Sequence, residues 1–214
     1  MHLNNAGVEE ILARLRQRYP EARSGLSYRN AFELLVAAVL SAQSTDRQVN
    51  RVTASLFKKY PTPATMASIE PEQLAGEIKS IGLYRAKSRQ LVALSRMLVE
   101  KYGGKVPGRL EELLRLPGVG RKVALVVLSN AFGQDVIAVD THVFRVANRL
   151  GLTKARNVRQ AEDQLMQVLP SGSRGLVHHL LIQHGREVCK ARNPKCQECF
   201  LSDLCVGYTR QGRE

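Results

Sequence analysis

Apolar residues recur every three or four positions along most of the chain, the spacing of helices that bury one face. The first such stretch lies between a possible cap at Asn4 or Asn5 and Pro20. Residues 32–40 are apolar at almost every position, which predicts a buried, central helix. The sequence predicts helices near residues 5–19, 30–40, 45–59, 72–79, 85–102, 110–115, 122–131, 141–150, 158–168 and 173–189.

The segments between these helices add little regular structure, so the predicted fold class is all-α. Thr45 and Asp46 look like a cap for the third helix. The prolines at 61 and 63 predict a break. Only residues 135–139 look like a strand, and we expect the tail at 208–214 to be frayed.

The charge of the chain indicates what kind of partner it binds. Its 214 residues include 32 Lys and Arg against 19 Asp and Glu, a formal net charge of +13. Such a charge indicates a polyanionic partner, although a basic, ribosome-associated protein would share it. The length allows one domain or two small lobes.

The hydropathy of the chain bears on its compartment. No run of about 18 apolar residues suggests a membrane span, and the first residues lack the pattern of a secretory signal. We therefore expect a cytoplasmic protein without a membrane partner. In that compartment, clustered cysteines are metal ligands more often than disulfides.

A glycine-bearing turn joins two apolar helices at residues 116–122, which read Leu-Pro-Gly-Val-Gly-Arg-Lys. The glycines let the backbone come close to another chain, and the N-terminus of the following helix favours an anion. A bare Gly-x-Gly is more often an ordinary corner between helices. In so basic a chain we expect this hairpin to bind a DNA phosphate through residues Leu116, Gly118, Gly120 and Arg121.

A lysine and a carboxylate follow this turn closely and suggest chemistry on a sugar. Lys122 opens the helix after the turn, and Asp140 precedes Thr141 at the start of a later helix. A lysine amine can form a Schiff base, with a carboxylate to accept protons. The plainer interpretations are a phosphate-binding lysine and a helix N-cap, and Asp140 can be both cap and catalyst.

Four cysteines close to the C-terminus predict a metal site. Cys189, Cys196, Cys199 and Cys205 are separated by six, two and five residues. Four thiolates suit zinc or an iron–sulfur cluster equally on chemistry alone. The filled ligand set indicates a structural role. The first loop between them carries three cations for phosphate contacts, Lys190, Arg192 and Lys195.

These elements, in this order, resemble the endonuclease III family of DNA glycosylases. The resemblance covers nearly the whole chain. It rests on residues 40–46, 81–84, 116–122 and 139–145 and on the cysteine spacing. The family implies a [4Fe–4S] cluster on the four cysteines. It also implies a two-lobed helix-hairpin-helix glycosylase fold.

The resemblance also implies which residues form each lobe. A six-helix barrel would span residues 24–136, with its helix-hairpin-helix near 110–131. An iron–sulfur lobe would combine residues 1–23 with 137–214, and its cluster loop would be 189–205.

The resemblance further implies the roles of individual residues. Lys122 would be the nucleophile and Asp140 the catalytic carboxylate. Gln43 would fill the gap left by the extruded base, and Leu83 would wedge into the opposite strand. The implied enzyme removes oxidised pyrimidines from duplex DNA in base excision repair and cuts 3′ to the abasic site by β-elimination, as a monomer at a bacterial nucleoid.

Other functions account for less of the sequence. The related adenine glycosylases lack the lysine and carry a glutamate where Ala38 lies, so that branch is disfavoured. A non-enzymatic DNA-binding module would not need Lys122 or Asp140. An electron-transfer protein would leave the charge and the hairpin unexplained.

Overall fold

All regular secondary structure in the described part of the chain is helical. The computed structural model describes residues 5–211. This confirms the predicted all-α class. The helices are α1 (Asn5–Arg18), α2 (Ala31–Leu40), α3 (Asp46–Lys59), α4 (Pro63–Ala67), α5 (Pro71–Glu77), α6 (Tyr84–Tyr102), α7 (Leu110–Leu113), α8 (Arg121–Phe132), α9 (Thr141–Leu150), α10 (Val158–Val168), α11 (Arg174–Glu187) and α12 (Val206–Gln211).

Side chains cap several helices. The Asn30 side chain accepts the amide of Glu33 at 2.9 Å and starts α2. Thr45, and not Asp46, caps α3. Asn5 is the first residue of α1, while Asn4 lies outside the described residues.

The strand predicted at residues 135–139 is wrong. The segment forms no strand and leads directly into α9. Its apolar residues Ile137 and Val139 are buried in a core made by helices, which accounts for the apolar run that resembled a strand. His178 Nδ1 donates to the carbonyl oxygen of Ala138 at 2.7 Å, so a side chain satisfies this backbone group.

Two short helices were missed. The prolines at 61 and 63 do not simply break the chain, because Pro63 occupies the first turn of α4, where its missing amide hydrogen costs nothing. Thr62 and Thr65 form a capping box there.

The second missed helix is α12, in the tail that was predicted to be frayed. The tail is helical to residue 211, and residues 212–214 lie outside the described part.

The helices form two compact units. One unit is residues 24–134 and contains α2 to α8. Nine residues of α2 are buried, as predicted for a central helix, and α2 packs against α3, α6 and α8. No helix within residues 5–211 combines the length and hydropathy needed to cross a membrane.

The other unit combines the segment before residue 24 with the segment from residue 135 onward. Its core joins α1 to α9, α10 and α11 through buried aliphatic side chains. Burying one Leu or Ile side chain completely stabilises the folded state by roughly 1.5–3 kcal/mol. Representative members are Ile11, Leu15, Val146, Leu165 and Leu181.

Candidate functional site

The hairpin between α7 and α8 is anchored by its apolar residues. Leu116 and Val119 are buried, and the amide of Val119 donates to the carbonyl oxygen of Leu116 at 3.1 Å. Gly118 adopts φ +77°, the left-handed region that glycine tolerates best. A Cβ at Gly118 would also lie 2.9 Å from Oε1 of Gln90. The turn therefore requires glycine at this position.

Helix α8 begins directly at the end of this hairpin. Gly120 is its N-cap and offers no side-chain acceptor to the first-turn amides. The positive end of the helix dipole therefore lies at the hairpin, as an anion site requires. Lys122 is the second residue of α8 and its side chain is exposed.

Asp140 is the N-cap of α9. Its Oδ1 accepts the backbone amides of His142 at 2.8 Å and Val143 at 2.9 Å. Its other oxygen, Oδ2, lies 3.7 Å from Nδ1 of His142. The carboxylate is mostly shielded, with 14% of the side chain exposed. The cap holds the carboxylate in one orientation. Asp140 and Lys122 belong to different units.

Gln43 and Leu83 share an unusual backbone conformation. Their φ angles are +56° and +59°, in the left-handed region that costs a residue with a side chain about 1–2 kcal/mol. Leu83 is also 59% exposed, so its side chain contributes little to the core. Strained, exposed side chains of this kind are typical of functional positions.

The structure brings these two residues together through Gly82. The amide of Gly82 donates to Oγ of Ser44 at 3.2 Å. A Cβ at Gly82 would lie 2.9 Å from the carbonyl oxygen of Gln43. The loop after α2 and the loop before α6 are therefore in direct contact.

Three cations that the sequence analysis did not single out lie close to Leu83 in the chain. They line a surface cleft of about 610 Å³ together with Tyr84. Two of them are four residues apart on α6, a spacing that places side chains on one helix face and could have identified them. They are Lys79, Arg85 and Arg89.

The four cysteines line one cavity of about 160 Å³. None of them forms a disulfide. In the described part of the chain, no three His, Cys, Asp or Glu side chains are arranged to hold a single metal ion. Thiols placed around a cavity, and not around one point, match a multinuclear iron–sulfur cluster better than a zinc ion.

Burial makes the thiolate forms of two of these cysteines costly. It raises the pKa of Cys199 and of Cys205 above the ordinary thiol value. Metal ligation requires thiolates, so bound iron must supply the compensating positive charge. The neighbouring His184 is also buried, and burial lowers its pKa to about 4, so this residue is neutral near pH 7.

Helix α9 holds the cysteine loop through two arginines. Arg149 donates to the carbonyl oxygens of Lys190 at 2.6 Å and Ala191 at 3.2 Å. Arg145 donates to the carbonyl oxygen of Cys189 at 3.0 Å. The loop cations Lys190, Arg192 and Lys195 are all exposed.

Comparison with family models gives two matches. Residues 36–171 match the HhH-GPD superfamily of base excision DNA repair proteins. Residues 189–205 match the iron–sulfur binding domain of endonuclease III.

Curated relatives match over almost the full length. The chain is 48% identical over 204 residues to endonuclease III of Bacillus subtilis, covering 95% of this chain and 93% of the relative. It is 46% identical over 203 residues to endonuclease III of Escherichia coli, covering 95% and 96%.

Solved structures share the fold. One is a trapped endonuclease III–DNA covalent intermediate, with a TM-score of 0.92 and 45% identity over 99% of this chain and 100% of that one. A thermostable thymine-DNA glycosylase gives a TM-score of 0.87 at 26% identity, over 96% and 98%.

Proposed function

The chain belongs to the endonuclease III family, and we propose that Lys122 and Asp140 carry out its chemistry on duplex DNA. The protein is a base-excision-repair enzyme, a DNA glycosylase with an associated abasic-site lyase activity, and it carries a [4Fe–4S] cluster. The observation that supports the residue assignment is the position of Lys122 in the first turn of α8, directly after the glycine-bearing hairpin. This hairpin would hold a backbone phosphate next to the lysine amine.

In the proposed reaction Lys122 is the nucleophile. Its amine attacks the anomeric carbon of the nucleotide, the bond from that carbon to the base breaks, and the base leaves with the bonding electrons and takes up a proton. The amine loses its protons and the sugar ring opens to give a Schiff base. Loss of a 2′ proton then breaks the bond from C3′ to the 3′ phosphate, which is β-elimination.

Lys122 must be unprotonated to attack. We propose that bound DNA covers this exposed side chain, and desolvation of this kind favours a neutral amine. We therefore expect the amine to become reactive only in the complex. This would restrict covalent chemistry to a bound nucleotide.

Asp140 would accept protons and stabilise the positive charge that builds on the sugar. Its position as N-cap suits this role, because two backbone amides fix the carboxylate before DNA arrives.

Gln43 and Leu83 would occupy the space that the damaged nucleotide leaves. Extruding a base costs a few kcal/mol, least for a damaged pair. Two side chains already held outward by strained backbone can enter the helix with little further ordering. The contact between their loops would let them act at one base pair.

The cysteine loop would bind DNA as a folded unit. We propose that the cluster is held by Cys189, Cys196, Cys199 and Cys205 and that it stabilises the loop, since thiolate–iron bonds fix four points of the backbone. Lys190, Arg192 and Lys195 would then contact phosphates.

The substrates, the oligomeric state, the place of action and the domain boundaries are also proposals. We propose oxidised pyrimidines and abasic sites as substrates, a monomeric enzyme, and a place of action on the bacterial nucleoid in the cytoplasm. We also propose that residues 24–136 act as the six-helix barrel domain, and that residues 1–23 and 137–214 act as the iron–sulfur domain.

Borohydride trapping tests the role of Lys122. Reduction of the Schiff base should leave the wild-type protein covalently attached to a duplex that contains an abasic site, and not to undamaged DNA. Lys122→Ala should abolish the adduct but retain binding. Lys101→Ala, which removes another exposed lysine of the same unit, is the control and should trap normally. If Lys122→Ala traps at the wild-type rate, another amine is the nucleophile.

A further inference from the structure

Lys87 is a buried cation in the first turn of α6, with 4% of the residue exposed. Its Nζ donates to the carbonyl oxygen of Leu40 at 2.9 Å and, through a shorter hydrogen bond, to that of Ala42. Burial lowers the pKa of Lys87, so the protein holds this charge against a desolvation cost. A buried charge that costs free energy indicates a specific role for Lys87.

The two carbonyl groups belong to the end of α2 and to the residue just before Gln43. Leu40 is the last residue of α2. The last carbonyl oxygens of a helix receive no hydrogen bond from an amide within that helix, so they need donors from elsewhere. A chain that turns left-handed after a helix usually does so at glycine. Here the left-handed residue is Gln43, so the turn needs outside support, and the ammonium group of Lys87 provides it.

The same residue is tied to Leu83. The backbone amide of Lys87 donates to the carbonyl oxygen of Leu83 at 3.0 Å, the first hydrogen bond of α6. Lys87 therefore bonds to the backbone on both sides of the contact between the Gln43 loop and the Leu83 loop. The contact at Gly82 completes this arrangement.

We propose that Lys87 is a positioning residue that holds Gln43 and Leu83 in the left-handed conformations with which they enter DNA. This rests on the roles proposed above for Gln43 and Leu83. In this proposal the buried side chain of Lys87 acts through the backbone and not on DNA or the reacting atoms. Its side chain fixes the carbonyl group before Gln43, and its amide fixes the carbonyl group of Leu83. The strained pair is thus organised before DNA binds.

The substitution Lys87→Met tests this, because methionine keeps an unbranched apolar side chain and removes the donors. Its matched control is Ser88→Ala at the next position of α6. Ser88 is equally buried, at 1% exposed, and its hydroxyl donates to the carbonyl oxygen of Arg85 within the same helix. Both variants disturb a buried position in the first turns of α6, but only the first releases the end of α2.

Three measurements separate positioning from general stability. The first is the single-turnover rate of excising an oxidised pyrimidine from a fully paired duplex. The second is the rate of cutting a preformed abasic site, where there is no base to extrude. The third is the emission of 2-aminopurine placed opposite the lesion, which rises when the base unstacks.

The expected result is a selective loss. Lys87→Met should slow excision by about tenfold, change abasic-site cleavage by less than about threefold, and reduce the rise of 2-aminopurine emission. Ser88→Ala should leave all three within about twofold of the wild type. Equal loss on both substrates would reduce Lys87 to a structural residue, and unchanged excision would overturn the proposal.

A second variant covers the case in which Lys87→Met does not fold. Gly82→Ala leaves Lys87 intact but places a Cβ 2.9 Å from the carbonyl oxygen of Gln43, so the Gln43 loop must shift. It should show the same selective loss, and equal or absent loss would count against the proposal. A wild type that cuts neither substrate contradicts the proposed function instead. The emission measurement, which needs only DNA binding, still tests Lys87 in that case.

Discussion

Asp140 accepts the backbone amide of Val143 at 2.9 Å through Oδ1, so the proposed catalytic carboxylate is also the N-cap of α9. One side chain thus has a structural and a chemical role. The two roles can be separated because asparagine caps helices about as well as aspartate but has no carboxylate.

Asp140→Asn should lose activity and keep stability. The amide retains the cap, so the melting temperature should stay close to that of the wild type, while trapping with borohydride should slow strongly. Asp140→Ala removes both roles and should also lower stability by about 1 kcal/mol. Thermal unfolding and single-turnover trapping of both variants check this. A fully active Asp140→Asn would show that the carboxylate charge is not needed.

Leu83→Gly should slow the enzyme without destabilising it. Leucine at φ +59° costs about 1–2 kcal/mol, whereas glycine relieves that strain at an entropic cost of about 0.5–1 kcal/mol. The side chain is 59% exposed, so little burial is lost. Excision from a paired duplex should fall more than cleavage of an abasic site. Leu83→Ala, which keeps the strain, should show the same kinetic defect and no gain in stability. A clear drop in melting temperature for Leu83→Gly would contradict this account.

Gly118→Ala should weaken DNA binding, and Gly103→Ala should not. Both positions have positive φ, +77° and +58°, so alanine strains each by about 1 kcal/mol. A Cβ at Gly118 would also meet Gln90, whereas nothing lies within 4 Å of one at Gly103. Equilibrium binding to an abasic duplex, measured beside thermal unfolding, separates the two effects. Equal affinities for the two variants would mean that the hairpin geometry does not serve binding.

Local sequence patterns are enough to predict several of the helices. The continuous apolar run of α2, the apolar residues of α8 and the cap at Thr45 are local signals, and the structure confirms those helices. The error at Pro63 has a local cause, because proline both ends helices and occupies their first turn.

The arrangement around Gln43 could not be predicted in this way. Its left-handed backbone depends on Lys87, which is 44 residues away in the chain and looks like a surface lysine of an amphipathic helix. The resemblance predicted roles for Gln43 and Leu83, but only the structure shows that Gly82 joins their loops. Tertiary contacts of this kind leave no periodic signal.

The cysteine cavity predicts the metal content of the purified protein. The protein should be brown and contain about four iron and four sulfide ions per chain, as expected of a [4Fe–4S] cluster. Cys199→Ser should lower the iron content and give poorly soluble protein, because the loop depends on the cluster for folding. Metal analysis and visible absorption check this. Colourless protein with one zinc per chain would contradict the cluster.

The affinity for duplex DNA should fall steeply with salt, and Arg192 should contribute to that slope. Arg192 is exposed in the cysteine loop. If Arg192→Ala removes one phosphate contact, the magnitude of the slope of log affinity against log salt should fall by about 0.9. Arg159→Ala removes the same charge from α10, where the guanidinium lies 3.4 Å from a carboxylate oxygen of Glu162 and 3.3 Å from one of Asp163. This control should leave the slope unchanged, because its charge is already neutralised within the protein. The loss at Arg192 should be alike for damaged and undamaged duplexes, since phosphate contacts carry no sequence information. Equal slopes for the two variants would show that Arg192 makes no phosphate contact.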